Sequence, residues 1–534
     1  MADLVLTNAH ILTLEPEQPR AEAIAVRNGR IWKVGSTADI LAAAGPDTER
    51  IDLGGKLVLP GLTDAHGHLM GLGDHLANLD VTGTQSAQEV AGMVAERADG
   101  AAEGEWILGR GWDQNDWSTK EFPDHSGLTR AAPGNPVVLR RVDGHAVWLN
   151  ARALEIAGIT AATPDPPGGK IERAGGHPTG ILIDNAVDLV QKWIPEPSRD
   201  EQLRRLEAAS RACLRDGLTS IHDAGIDWDR VGLYQEMIDQ GRLKLRIYAM
   251  IGIEPTENRT ELRPPIVDYG NGMLAVRSIK LYMDGALGSR GAALLEPYAD
   301  DPENRGLLIH PAAKVTAVAA EAMATGYQVN IHAIGDRGNR LALDALEEAT
   351  RQAPIGAALR HRIEHAQVLE DADIPRFAKL GVIASMQPTH CTSDMYWAAE
   401  RLGETRARGA YAWNRLRQTG ARLACGSDFP VESQAPLEGI YAAVTRQDRK
   451  GWPAGGWHPE ERMSLEEAIR CFTIDAAYAA FEEEHRGTIR PGKRADFTVL
   501  DNDITALPPE EILKTGIEMT IVGGEIVYRA GDKN

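Results

Sequence analysis

Short runs that alternate apolar and polar positions open and close the chain. LVLTNAHILTL, AIAVRNGRIWKVG and RIDLGGKLVLP, within residues 1–58, step in and out around N-G and G-G turn signals. ADFTVLDND and MTIVGGEIVYRAG do the same within residues 485–534. Neither end holds enough residues for a core of its own. The economical expectation is one small β-sandwich made from 1–58 plus 485–534, with the rest of the chain between them.

The centre alternates two periodicities. KLVLPGLTDAH, LTSIHDAG, LKLRIYAMIG, VRSIKLYMDG, YQVNIHAIGD, HRIEHAQ, VIASMQP and RLACGSD read as apolar strands. Amphipathic helical patterns lie between most of them, among them EQLRRLEAASRACLRDG, KVTAVAAEAMATG, GNRLALDALEEATRQ and RARGAYAWNRLRQTG. Strands alternating with helices imply a parallel sheet, and eight of them favour a closed (β/α)8, TIM-like barrel over an open sheet. The barrel is assigned to 59–73 plus 215–484. About 150 residues separate the strand ending near His68 from the one starting near Leu218, far beyond an ordinary βα connection. Residues 74–214 are therefore expected to form an inserted α/β subdomain over the barrel mouth, with the Gly- and Pro-rich TPDPPGGKIERAGGHPTG as a loop. No internal repeat is evident.

Composition narrows the class. The chain has 534 residues, 43% of them hydrophobic and 25% charged, and a formal net charge of −20. That balance opposes nucleic-acid and anionic-membrane partners, which demand clustered Lys and Arg. The expected partner is a small-molecule substrate, and self-association into a homo-oligomer stays open. Cys213, Cys391, Cys425 and Cys471 form no C-x-x-C pair and read as thiols in a reducing compartment. No leader pattern and no long apolar span is visible, which points to the cytoplasm.

The chemistry sits at the strand ends. His66-Gly67-His68 closes the first apolar run, and alternate residues on a strand share one face. Lys280 lies in the fourth strand, His332 and His365 close the fifth and sixth, and Asp428 follows the eighth. In a barrel such ends converge at one mouth, and imidazole with carboxylate suits a divalent metal such as zinc. Each residue alone has an ordinary reading: a hydrogen-bonded core histidine, a helix-capping aspartate, a lysine with a buried stem. The set carries the weight.

That set, in that order, resembles the ligand pattern of the amidohydrolase superfamily. D-A-H-G-H, K-L-Y-M-D-G-A-L-G-S-R, H-A-I-G-D, R-I-E-H-A-Q, S-M-Q-P-T-H, G-S-D-F-P-V and the closing G-T-I-R-P-G-K-R-A-D-F-T-V-L-D are similar to amidohydrolase family 3. This is the YtcJ-like branch that includes N-substituted formamide deformylases. The resemblance covers nearly the whole chain. It implies one or two divalent ions, with His66 and His68 on the more buried one and His332 and His365 on the second. Lys280 would bridge them as a carboxylated lysine, and Asp428 would act as ligand and acid/base. Carboxylation has a physical motive: an ammonium about 4 Å from a divalent ion is repelled by ~8 kcal/mol even at an effective dielectric near 20. The implied reaction is hydrolysis of a non-peptide amide C–N bond, on an N-substituted formamide or an aryl or alkyl amide, by hydroxide held on the metal.

Softer candidates for substrate contact are Trp112, Asp113, His145, His222, Asp284, Arg290 and His390; packing, capping or ion pairing offers another reading for most of them, and His222 reads as a rim group or as one that supports the ligands from behind. Three other functions remain open on sequence. An esterase or lactonase could use the same site on C–O bonds. A barrel without catalysis could serve as a binding module, although all six ligand positions are filled. A glycosidase built on carboxylates such as Glu364 and Asp428 would leave four histidines unexplained.

Overall fold

The computed structural model describes residues 1–142, 145–256 and 260–532. Two compact units emerge, one of Met1–Leu69 with Ser210–Asn534 and one of Met70–Ala209. In the first, eight parallel strands run β1 (Leu62–Gly67), β2 (Leu218–Ile226), β3 (Arg246–Gly252), β4 (Leu274–Tyr282), β5 (Gln328–Ala333), β6 (Arg362–His365), β7 (Ile383–Met386) and β8 (Leu423–Cys425). Each pairs with its neighbour in chain order, from β1 round to β8. The architecture is a nearly closed parallel barrel with helices around it.

The strand pattern explains which side chains face the axis. In β5, Val329 and Ile331 alternate with Gln328, Asn330 and His332. Helices Ala312–Ala324 and Asp336–Gln352 pack on this strand. The apolar set takes the helix side, where each buried branched side chain contributes roughly 1.5–3 kcal/mol, and the polar set turns to the axis. Lys280 lies opposite Asn330, and His332 opposite Glu364, which sets their heights along the barrel. Between β1 and β8 the seam is held by side chains: Asp64 accepts from the Ser427 amide at 3.1 Å and the Ser427 hydroxyl at 2.6 Å.

Both chain ends meet in a six-stranded sheet. Leu57–Pro60 pairs antiparallel with Phe497–Leu500, Leu59 opposite Thr498. A four-stranded sheet of Leu4–Thr7, Ala23–Arg27, Arg30–Gly35 and Glu49–Asp52 faces it across a core that includes Leu6, Ile24, Val58, Phe497 and Ile521. The run KLVLPGLTDAH, read from sequence as one strand, divides at Gly61: its first half belongs to the terminal sheet and its second half is β1.

Met70–Ala209 is an α/β unit whose six-stranded sheet is flanked by helices such as Ala87–Asp99 and Ala151–Ile156. Two sequence expectations need correction. TPDPPGGKIERAGGHPTG is in part a hairpin, Gly169–Ala174 against His177–Asp184. Its turn is Gly175-Gly176 at φ 57° and 84°, the left-handed pair that a tight hairpin demands. RARGAYAWNRLRQTG is not one helix: Ala398–Ala407 ends, and Trp413–Gln418 begins anew. Tyr411 at φ 55° breaks the path, and its amide donates to Gln367 O at 2.7 Å instead of continuing the helix. No helix among the described residues is long and apolar enough to cross a membrane.

Candidate metal centre

The barrel brings His66, His68, Lys280, His332, His365 and Asp428 to one end. Ring centroids of His66 and His68 lie 5.5 Å apart, His66 and His365 5.0 Å, and His332 and His365 4.5 Å. Lys280 Nζ is 3.3 Å from His66 Nε2. Asp428 Oδ1 lies 2.9 Å from His68 Nε2 and 3.5 Å from His66 Nε2. The chain reaches this geometry under strain. His365, Ala366 and Asp428 adopt φ of 73°, 44° and 61°, a left-handed region that costs non-glycine residues about 1–3 kcal/mol each. The surroundings enforce it: the Asp428 amide donates to His66 O at 2.7 Å. Gly426 lets β8 close on β1, since a Cβ there would meet Asp64 Oδ1 and His66 N at 2.5 Å.

The donor set fits a divalent cation. Three imidazoles are oriented through Nδ1, which faces an acceptor: Glu364 Oε2 at 2.5 Å for His66, Ala224 O at 3.0 Å for His68, and Gln387 Oε1 at 2.8 Å for His365. A carboxylate or carbonyl only accepts, so Nδ1 carries the proton; in His66 and His365 the Nε2 lone pair is left for a ligand, whereas His68 Nε2 meets the Asp428 carboxylate at 2.9 Å, a contact that a cation between them would replace. His332 Nε2 and His390 Nε2 are buried without a hydrogen-bond partner, a costly state unless something electron-poor meets them. Two trios of donor atoms cluster closely enough to share an ion: His66, His68 and Asp428, and His365, His390 and Asp428.

Electrostatics agree. Burial, then the neighbouring Lys280, pushes His66 down to about 4 and His332 to about 3, while burial lowers Lys280 to about 8. Burial opposes the Asp428 carboxylate, but the hydrogen bond with His68 and the neighbouring His66, His365 and His390 hold it well below the usual range. Neutral His66, His332 and His365, a lysine made easier to deprotonate and an ionised carboxylate form a set of lone-pair donors, while the Asp428 carboxylate outweighs burial and raises His68, a pull that a bound cation would oppose.

The remaining candidates sort differently from the sequence expectation. His390, on helix Pro388–Asp394 after β7, stands inside the centre, stacked 5.9 Å from His365 and with Nε2 3.8 Å from Asp428 Oδ2. His222 is not on a rim: it is fully buried, with Nδ1 accepting from Arg362 Nη1 at 2.9 Å. Asp284 is not open to substrate: it is fully buried and accepts the amides of Ala293, Ile334 and Gly335 at 2.8–2.9 Å, so it organises the loop after β4. Arg290 is no free clamp, since its guanidinium grips Asp300 at 2.8 Å. Trp112 is fully buried in the core of Met70–Ala209 with Trp117 and Trp148, both about 6.1 Å away, and its indole donates to Leu139 O. Asp113 caps the short helix Gln114–Asp116 and pairs with Arg141 at 3.0 Å. His145 is exposed, its Nδ1 2.9 Å from Asp184; Asp143 and Gly144 before it lie outside the described residues.

Sequence reasoning missed Glu364 as part of this centre, along with Arg362 and Gln387. Burial disfavours a charged Glu364, yet Arg362 and His66 outweigh it and hold its carboxyl down to about 2. The available signal was R-I-E-H itself, two opposite charges at alternate positions of a strand buried on both faces.

Known proteins converge on the same assignment. Residues 49–528 match the sequence profile described as the amidohydrolase family. Protein LONG AFTER FAR-RED 3 of Arabidopsis thaliana is 37% identical, over 99% of this chain and 92% of its own. YtcJ of Bacillus subtilis (strain 168) is 34% identical, over 97% and 98%. An N-substituted formamide deformylase of Arthrobacter pascens is 28% identical, over 99% and 98%. A crystal structure of a metal-dependent hydrolase from Pyrococcus furiosus, described as uncharacterized, superposes with a TM-score of 0.76 at 28% identity, over 95% of this chain and 99% of that one. With its barrel, its strand-end histidines and a match across nearly its full length, the chain belongs to the amidohydrolase family.

Proposed function

We propose that this metal-dependent hydrolase cleaves a non-peptide amide C–N bond, on an N-substituted formamide or an aryl or alkyl amide. The observation that carries the reading is the clustering of His66, His68, His365, His390 and Asp428 donor atoms in two trios that share Asp428, with Lys280 Nζ 3.3 Å from His66 Nε2 and His332 Nε2 buried without a partner. The similarity to an N-substituted formamide deformylase supports the substrate class.

A divalent ion such as zinc, when bound, polarises a carbonyl and brings the pKa of water toward ~7. His66 and His68 with Asp428 would hold one ion, and His365 and His390 with Asp428, joined by His332, a second. Lys280, already pushed down by burial, would become an anionic ligand on carboxylation. Asp428 is placed to move the proton. Its Oδ1 is held by His68, and its Oδ2 lies 3.8 Å from His390 Nε2. Oδ2 can take a proton from attacking water and return it to the departing nitrogen, which cannot leave as an amide anion.

The test is a panel of N-substituted formamides, anilides and matched esters, assayed beside metal content per chain. Turnover of formamides or amides that a chelator abolishes and zinc restores is the expected result. Turnover confined to esters assigns the site to C–O bonds, and chelator-insensitive turnover removes the metal from the reaction.

A further inference from the structure

Beneath His66 lies an ion pair whose burial is complete. Arg362 and Glu364 alternate along β6 and so share its axis face. Arg362 Nε lies 2.8 Å from Glu364 Oε1, and Nη2 donates to Glu364 Oε2 at 3.1 Å. The same guanidinium reaches Ala65 O in β1 at 2.6 Å, Ser385 Oγ in β7 at 2.7 Å and His222 Nδ1 in β2 at 2.9 Å. Both side chains have no exposed surface. Burying two charges costs several kcal/mol per ion, and well-packed apolar residues fill such a space at no loss of stability. The pair therefore calls for a role beyond holding strands together, and its open end shows one: Glu364 Oε2 meets His66 Nδ1 at 2.5 Å.

We propose that Glu364, locked in place by Arg362, is the positioning residue of the metal centre: it fixes His66 as the Nδ1–H tautomer, aims Nε2 into the cavity and sets the affinity for the cation. The other oriented imidazoles have neutral acceptors, the Ala224 carbonyl for His68 and the Gln387 amide for His365. An ionised acceptor makes the imidazole a stronger donor to a metal than a neutral one does. His66 is thus the anchoring ligand, and the charge on Glu364 is the reason. This rests on the proposed reading only in requiring that the cavity hold a divalent cation; it requires no particular substrate.

The experiment uses the full chain, stripped by a chelator and titrated with zinc against a chromophoric competitor, with thermal unfolding of the stripped protein recorded in parallel. Glu364→Gln keeps an acceptor for His66 but removes the charge. The expected result is zinc affinity about 10- to 100-fold below wild type. Arg362→Met with Glu364→Gln removes the stranded guanidinium and guards against a folding defect; the same loss is expected. Arg360→Gln, which breaks the half-buried pair with Glu483 at 2.7 Å, is the control and keeps wild-type affinity. Affinity within about twofold of wild type in either folded Glu364 variant overturns the proposal. So does failure of both variants to fold, which assigns the pair to stability. Loss of zinc affinity in a protein that hydrolyses no amide or ester leaves this proposal standing and removes the hydrolytic reading. A wild type that takes up no zinc removes both.

Discussion

Two buried arginine–carboxylate pairs sit in the same unit and do different work. Arg246, at the start of β3, grips Asp496 through Nε at 2.8 Å and Nη2 at 2.9 Å; Nη1 donates to Gly272 O, and the Gly523 amide completes Asp496 at 2.7 Å. That network is closed: Gly272 lies in the turn before β4 of the barrel, Asp496 stands just before the Phe497–Leu500 strand and Gly523 in the hairpin turn of the terminal sheet, so the pair ties barrel to sheet. The Arg362–Glu364 pair is equally buried, but one carboxylate oxygen ends on an imidazole that faces the cavity. Chemistry and burial are the same, so the partner at the open end decides between a structural tie and a support for the site.

Perturbing the groups on either side of this contrast separates the two roles. The largest effect is expected at the cavity itself. Asp428→Asn lowers kcat by about 10²–10⁴-fold while the folded protein retains metal, read by steady-state kinetics beside metal analysis; full activity would end the acid/base assignment. Asp496→Ala strands a buried guanidinium and costs about 3–5 kcal/mol of stability. Chemical denaturation should show that loss with zinc affinity unchanged, and a matching loss of affinity would erase the contrast between the pairs.

The acid limb of stability sharpens it further. Arg246 holds Asp496 below its ordinary range against the effect of burial. Its folded pKa is thus below the unfolded value of roughly 3.9, so its stabilisation is complete above that value and is lost as pH falls through the folded pKa. Asp496→Asn should flatten the fall in stability below about pH 4, and an unchanged slope in an acid titration of unfolding would contradict this. The smallest effect belongs to Arg290→Ala. Its pair with Asp300 is a solvent-screened surface pair, so neither unfolding stability nor KM should move measurably.

The eight strands were legible because their apolar runs end in polar residues and alternate with helical patterns. The cluster of His66, His68, Lys280, His332, His365 and Asp428 follows from strand ends meeting at one mouth. What escaped depends on contacts distant in sequence. His390, expected only as a substrate contact, lies on a short helix, where strand-end logic does not reach, and its place among the metal donors was missed. In sequence Glu364 reads only as a carboxylate of a glycosidase, and its pairing with Arg362 shows only once the strand is known to be buried on both faces. His222 and Asp284 read as candidates for substrate contact because both follow apolar runs, yet each is consumed by a buried hydrogen-bond network. The Gly169–Asp184 hairpin was hidden by Gly and Pro content that also describes loops, although its G-G turn was in plain view.

The central claim is that these side chains bind a divalent cation, and metal content per chain measures it most directly. Wild type and His66→Ala, both dialysed against dilute zinc and then against metal-free buffer, are compared by elemental analysis. At least one equivalent retained by wild type and a clear drop in the variant is the predicted result. Retention no greater in wild type than in His66→Ala would contradict the account.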